Sequence, residues 1–123
     1  GSVRMKAELN ESPTAQQVWE ALGEPSAPIE GSANLWGDEI YFEIPVVAAQ
    51  EADARALVEV GSLGYWPVGH AFCIFFGPTP ASTDERPRAY SPVNILGEVL
   101  GDATAFRAVR GGTTVRLSRV DES

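Results

Sequence analysis

One cysteine, one histidine and one methionine in 123 residues leave little material for redox or metal chemistry. The single thiol, Cys73, excludes an internal disulfide and fits a reducing compartment. The lone His70 cannot supply half of a two-histidine site, and no Cys/His cluster exists, so neither a metal nor a cofactor is expected. Positive charge is scarce too: nine Lys+Arg against seventeen Asp+Glu give a formal net charge of −8. That balance argues against nonspecific nucleic-acid binding and against docking on anionic membranes, both of which need basic patches. Long apolar runs are also missing. The longest, Ala71 to Phe76, has six residues, where a spanning helix needs about 20. No basic segment followed by an apolar stretch opens the chain, so no signal peptide is expected, and Gly1-Ser2 reads as a cloning remnant. There is no Ser/His/Asp signature and no phosphate-cradling glycine motif, and Gly111-Gly112 reads as a hairpin turn. These absences point to a cytoplasmic protein with no ready-made catalytic signature.

What remains is a good core-former: 44% hydrophobic and 21% charged residues over a length suited to one domain, residues 1–123. Val3 to Glu8 alternates, with Val3, Met5 and Ala7 opposed to Arg4, Lys6 and Glu8, as in a half-buried strand. Ser12 and Pro13 then suit the N-cap and first position of a helix whose apolar residues Ala15, Val18, Trp19 and Leu22 share one face, and Gly23 ends it. Glu24 to Ala33 reads as a linker. Asp38 to Val47 alternates again, with Ile40, Phe42, Ile44 and Val46 opposed to Glu39, Tyr41 and Glu43. Gln50 to Arg55 reads as a loop or helical turn, and Leu57 to Val60 as a brief strand. Gly61 to Gly69 is punctuated by glycine and proline around Tyr65 and Trp66, and Ala71 to Phe76 fits a strand buried on both faces. Thr79 to Pro92, with three prolines, reads as a long structureless connection. Val93 to Leu100 resumes strand character, Ala103 to Val109 suits two helical turns, and Thr113 to Val120 is a last strand. The pattern is that of a mostly β barrel or sandwich.

Three stretches resemble the cyclophilin fold, and more closely a small prokaryotic branch of cyclophilin-like proteins of uncharacterised function. Glu8-Leu9 followed by Ser12 to Leu22 looks like that family's second strand and first helix. Gly69-His-Ala-Phe-Cys-Ile-Phe-Phe-Gly-Pro-Thr-Pro80 resembles its Gly-Ser-Gln-Phe-Phe-Ile strand and the residues beyond it, and Asn94-Ile-Leu-Gly-Glu-Val99 is similar to its Val-Val-Phe-Gly-Lys-Val strand. The Phe75 to Pro80 run, together with Trp36-Gly-Asp-Glu-Ile-Tyr-Phe42, marks the uncharacterised branch. The resemblance implies a closed β-barrel of about eight short strands capped by one or two helices, with a ligand groove on its outside wall. It also implies a departure in chemistry. Cyclophilins isomerise Xaa-Pro bonds with an arginine in the strand ending Val-Ile-Pro; here that strand ends Glu43-Ile44-Pro45, and Phe42 stands at the arginine's place. The glutamine of the Gly-Ser-Gln strand is Ala71, and the loop's histidine and tryptophan have no counterparts in Thr79 to Pro92.

The candidate residues come from both readings. Glu43, beside the lost arginine's position, and His70, the one side chain titrating near neutrality without perturbation, are the candidate acid/base groups. Tyr65, Trp66, Phe72 and Phe75 are candidates for a ligand groove, and Tyr41 shares a strand face with Glu39 and Glu43 where a cleft could hold a cation or engage an amine. Arg86 and Arg88 could close over the groove as a lid, and Ser91 and Asn94 could hydrogen-bond a ligand. Each has an ordinary counterpart as core, turn or solvated surface. Cys73 reads as a small buried hydrophobe. The expectation is a peptide- or small-ligand-binding module, with an atypical prolyl isomerase or a small-molecule enzyme as alternatives. The chain is expected to be a monomer, or a homodimer if a sheet edge is left open.

Overall fold

The computed structural model describes residues 3–23 and 28–120. Its elements are strands β1 (Ala7–Leu9), β2 (Ile29–Ser32), β3 (Asn34–Leu35), β4 (Glu39–Glu43), β5 (Arg55–Leu57), β6 (Ser62–Trp66), β7 (Ala71–Phe75), β8 (Arg88–Val99) and β9 (Thr114–Leu117). One α-helix, α1 (Pro13–Leu22), and a 3-10 helix (Ala103–Ala108) complete the set. The molecule is mostly β and its pairings are antiparallel. Seven strands form one sheet in the order β1-β8-β6-β7-β4-β3, with β5 also on β8, and β2 pairs β9 in a second sheet.

The sheet was expected to close into a barrel, but among the described residues its ladder is an open path ending at β1 and β3. β2 meets β4 through side chains: a Cβ on Gly31 would lie 2.6 Å from the Phe42 ring, so the two strands stack there. The β2–β9 ribbon also corrects the linker expected from Glu24 to Ala33, since Ile29–Ser32 is paired strand; residues 24–27 lie outside the described set. Strand also appears in two glycine- and proline-rich stretches. The Gly61–Gly69 stretch contains β6, and the proline-rich connection ends at Pro87, where the 12-residue β8 begins.

The helix begins and ends where its sequence dictates. The Ser12 hydroxyl accepts from the Ala15 N–H, Pro13 opens the first turn, and Gly23 caps the end at φ 62°. Its buried face, Ala15, Val18 and Leu22, joins Ile40, Phe42, Ile44, Phe72, Ile74 and Phe76 in the main core. Trp19, expected on that face, is instead 44% exposed, with the Arg119 guanidinium 4.0 Å from its ring centre. On the opposite face of the sheet, Cys73 and Phe75 of β7 pack with Val58, Ala89 and Val93 in a second, smaller core. Period-two alternation along β7 therefore feeds two cores, one under the helix and one under β5 and β8. The second of these supports an outer recess.

Candidate functional site

On that second face, four aromatic side chains surround a cavity of about 170 Å³: Trp36, Tyr41, Trp66 and Tyr90. Ala89 and Val93 also line it, and among the described residues Glu39 is the sole charged residue in its wall. The rings form a chain in which each neighbour stands edge-on to the next. Trp36 and Tyr90 have centroids 6.0 Å apart at 74°, Tyr90 and Trp66 6.2 Å at 80°, and Trp66 and Tyr41 6.4 Å at 77°. Near-perpendicular neighbours are the geometry of adjoining walls.

Local structure fixes each wall. Glu39 and Tyr41 are two apart on β4 and so share its outer face. Trp36 and Glu39 flank the β3–β4 turn, where the Trp36 N–H donates to the Glu39 carbonyl at 3.0 Å. The run Phe75 to Pro80 clasps this turn: Phe76 N donates to Asp38 O at 2.9 Å and Asp38 N to Pro78 O at 2.9 Å. A Cβ on Gly77 would fall 2.2 Å from the Asp38 carboxylate, so glycine there lets Asp38 turn toward Arg107, its ion-pair partner at 3.2 Å. Trp66 is held from two sides. Its indole N–H donates to the Ser91 hydroxyl at 2.6 Å, and a Cβ on Gly69 would lie 2.7 Å from its six-membered ring.

Glu39 is the unusual member. Its side chain sits in the cavity wall with the residue only 6% exposed, and among the described residues no Lys, Arg or His pairs with it. Removal from water disfavours the charged form, and this burial pushes the carboxyl from 4.5 up to about 7, against the opposing pull of the Cys73 thiol beside it. Cys73 itself is fully buried, and its own burial, then the neighbouring Glu39 charge, raise it well above the ordinary thiol range. It is a packed hydrophobe without thiolate reactivity.

The remaining sequence candidates fall into two groups. Tyr41 and Trp66 line the cavity; Tyr65, Phe72, Phe75 and Asn94 are interior. Tyr65 is wholly buried, its hydroxyl donating to Val46 O at 2.6 Å and accepting from Ala48 N at 3.3 Å. Phe72 packs in the main core and Phe75 beneath the cavity in the second. Asn94 is wholly buried and fully used: its amide N–H groups donate to Thr14 Oγ1 and Ala49 O, each at 3.0 Å, and its Oδ1 accepts from Glu51 N at 2.8 Å. The Glu51 carboxylate in turn accepts from the Thr14 N–H and hydroxyl, latching the helix to β8. None of these four can touch a ligand in the cavity. Arg88 lies outside its lining, and Arg86 is tied to Asp84 at 2.8 Å within the loop, so neither forms the expected lid. Glu43 is exposed on β4, while His70 is a turn residue at φ 50° whose carbonyl accepts from Ile44 N. Neither lines the cavity. Phe42, at the place of the cyclophilin arginine, points into the main core.

Trp36 and Tyr90 complete the site beyond the sequence candidates, beside Glu39, which the sequence placed on the Tyr41 face of β4. Trp36 and Glu39 belong to the distinctive Trp36-Gly-Asp-Glu-Ile-Tyr-Phe42 segment. Tyr90 lies in the proline-rich stretch, which carries no periodic signal although β8 already begins at Arg88.

The protein is an antiparallel β-sheet domain with a helix on one face of the sheet and an aromatic recess on the other. The family model described as Cyclophilin-like matches residues 1–118, and the chain belongs to that family. It is similar to a hypothetical protein of Archaeoglobus fulgidus, solved in solution, at 37% identity and a TM-score of 0.73, over 93% of this chain and 85% of that one. No curated protein matches it. No helix of the described residues is long and apolar enough to cross a membrane.

Proposed function

We propose that this protein is a small-ligand-binding module whose site is the aromatic cavity on the outer face of the sheet. The observation that carries this reading is the convergence of four rings and one buried carboxylate on a single recess. Such a concave, mostly apolar wall with one placed polar group is the usual form of a small-molecule site. The volume suits a compact ligand better than an extended peptide.

An atypical prolyl isomerase is the less supported reading. Isomerisation is eased by a donor to the prolyl amide that weakens its resonance, and among the described residues no arginine or lysine lines the recess. A small-molecule enzyme working through Glu43 or His70 would need those groups at the ligand, and both lie outside the lining.

Phenethylamine, phenylacetate and 2-phenylethanol share a shape and differ in charge, which makes them suitable first ligands. Saturation-transfer NMR and thermal denaturation should show at least one binding and raising the melting temperature, with Trp66→Ala losing the effect and Glu43→Gln keeping it. If none binds, or if Trp66→Ala leaves binding intact, the cavity is not the site. Acceleration of Xaa-Pro isomerisation that Trp66→Ala removes would favour the isomerase reading.

A further inference from the structure

We propose that the cavity selects a compact organic cation, a quaternary or protonated amine of a free small molecule, with Glu39 as its counter-charge and the four rings as its cage. This rests on the cavity being the binding site and adds the class of ligand.

The wall's chemistry narrows the choice. Aromatic faces carry the negative part of the ring quadrupole, and a cation within about 6 Å of a ring centre is attracted to it. Trp36, Tyr41, Trp66 and Tyr90 offer four such rings around one small space, each at a steep angle to its neighbour. Glu39 lies in the same wall, nearly buried, with no cationic partner among the described residues. A buried carboxylate without a partner is unfavourable, so any ligand is judged by what it does to that group. An anion would repel it. A neutral apolar ligand would strip its remaining water and give nothing back. A cation supplies the missing charge and gains from the rings as well.

The same wall rejects a metal ion. Calcium and magnesium need about six oxygen ligands, and the lining offers one carboxylate among rings, Ala89 and Val93. A weakly hydrated alkylammonium sheds its water far more readily. The net charge of −8 adds a general attraction for cations.

The carboxyl's elevation to about 7 gives the binding a pH signature. The groups that face Glu39 are the Cys73 thiol from β7, which burial raises well above the ordinary thiol range, Tyr41 on its own strand and Tyr90 from β8. A cation should therefore bind more tightly as pH rises from about 6 to 8, as Glu39 ionises.

The test compares choline with its neutral isostere 3,3-dimethylbutan-1-ol by calorimetry, on the wild-type chain and on Glu39→Gln and Tyr90→Ala. Tyr90 is 77% exposed, so its removal spares the core. Choline should bind at least about tenfold more tightly than the isostere at pH 8. Glu39→Gln should abolish that preference and flatten the pH dependence, and Tyr90→Ala should weaken choline several-fold at unchanged melting temperature. Equal or tighter binding of the isostere, with Glu39→Gln improving it, would overturn the cation assignment and leave the cavity as a neutral-ligand site. If neither compound binds while an anionic or neutral aromatic ligand does, the cation assignment again fails alone. Absence of all binding would sink both readings.

Discussion

Tyr65 and Trp66 are neighbours in sequence and opposites in role. They alternate across β6, so one faces the main core and the other the outer recess. Tyr65 spends its hydroxyl on Val46 and Ala48, anchoring the chain that follows β4, and burial raises its pKa further. Tyr65→Phe keeps the ring and removes the anchor, leaving a buried carbonyl without its donor. The expected cost is about 1–2 kcal/mol in urea denaturation, with ligand binding to the folded protein unchanged. A loss of binding at unchanged stability would instead place Tyr65 at the site. Asn94 behaves in the same way: its three hydrogen bonds occupy both amide N–H donors and engage the carbonyl oxygen, so a residue that looks free to bind in sequence is consumed by the fold.

At the scale of elements, the site is a product of two turns. The β3–β4 turn presents Trp36 and Glu39, and the segment between β6 and β7 brings Gly69 against the Trp66 ring. Gly69→Ala would drive a methyl into that ring while Ser91 still holds its indole N–H. We expect about 1–3 kcal/mol of destabilisation from overpacking and weaker binding of any cavity ligand, measured by denaturation and calorimetry; wild-type affinity in Gly69→Ala would show that Trp66 is not held in place from this side. Much of the frame was legible in the sequence. The helix with its Ser12 cap, the alternation of Ile40 to Val46 and the two-faced Ala71 to Phe76 strand rest on local rules of period and capping. The β2–β9 ribbon was not, because Ile29–Ser32 carries Gly and Ser and becomes a strand only by pairing with Thr114–Leu117 about eighty residues away. The site was half legible. The shared face of Glu39 and Tyr41 follows from alternation, but burial of Glu39 depends on Trp36 and Tyr90 arriving from other elements, which no local pattern reports.

For the molecule as a whole, the buried carboxylate makes stability depend on pH in an unusual direction. A carboxyl whose folded value is lowered, as Asp84 is to about 2 by its hydrogen bonds to Arg86, adds stability that is lost as pH falls through that value. Glu39 works the other way. Its value rises from 4.5 in the unfolded chain to about 7 in the fold, so between these values the folded state holds more protons and stability declines as pH increases. Below about 4.5 the group is neutral in both states and costs nothing; above about 7 the full penalty applies, of order 3 kcal/mol. Glu39→Gln is neutral at every pH. The wild-type melting temperature should therefore fall relative to that of Glu39→Gln between pH 5 and 8, and the two should converge at the acidic end. A difference that stays constant across this range would mean that Glu39 ionises in the fold as it does in water. Choline should narrow the gap most at pH 8, since it supplies the counter-charge only where the carboxylate is ionised.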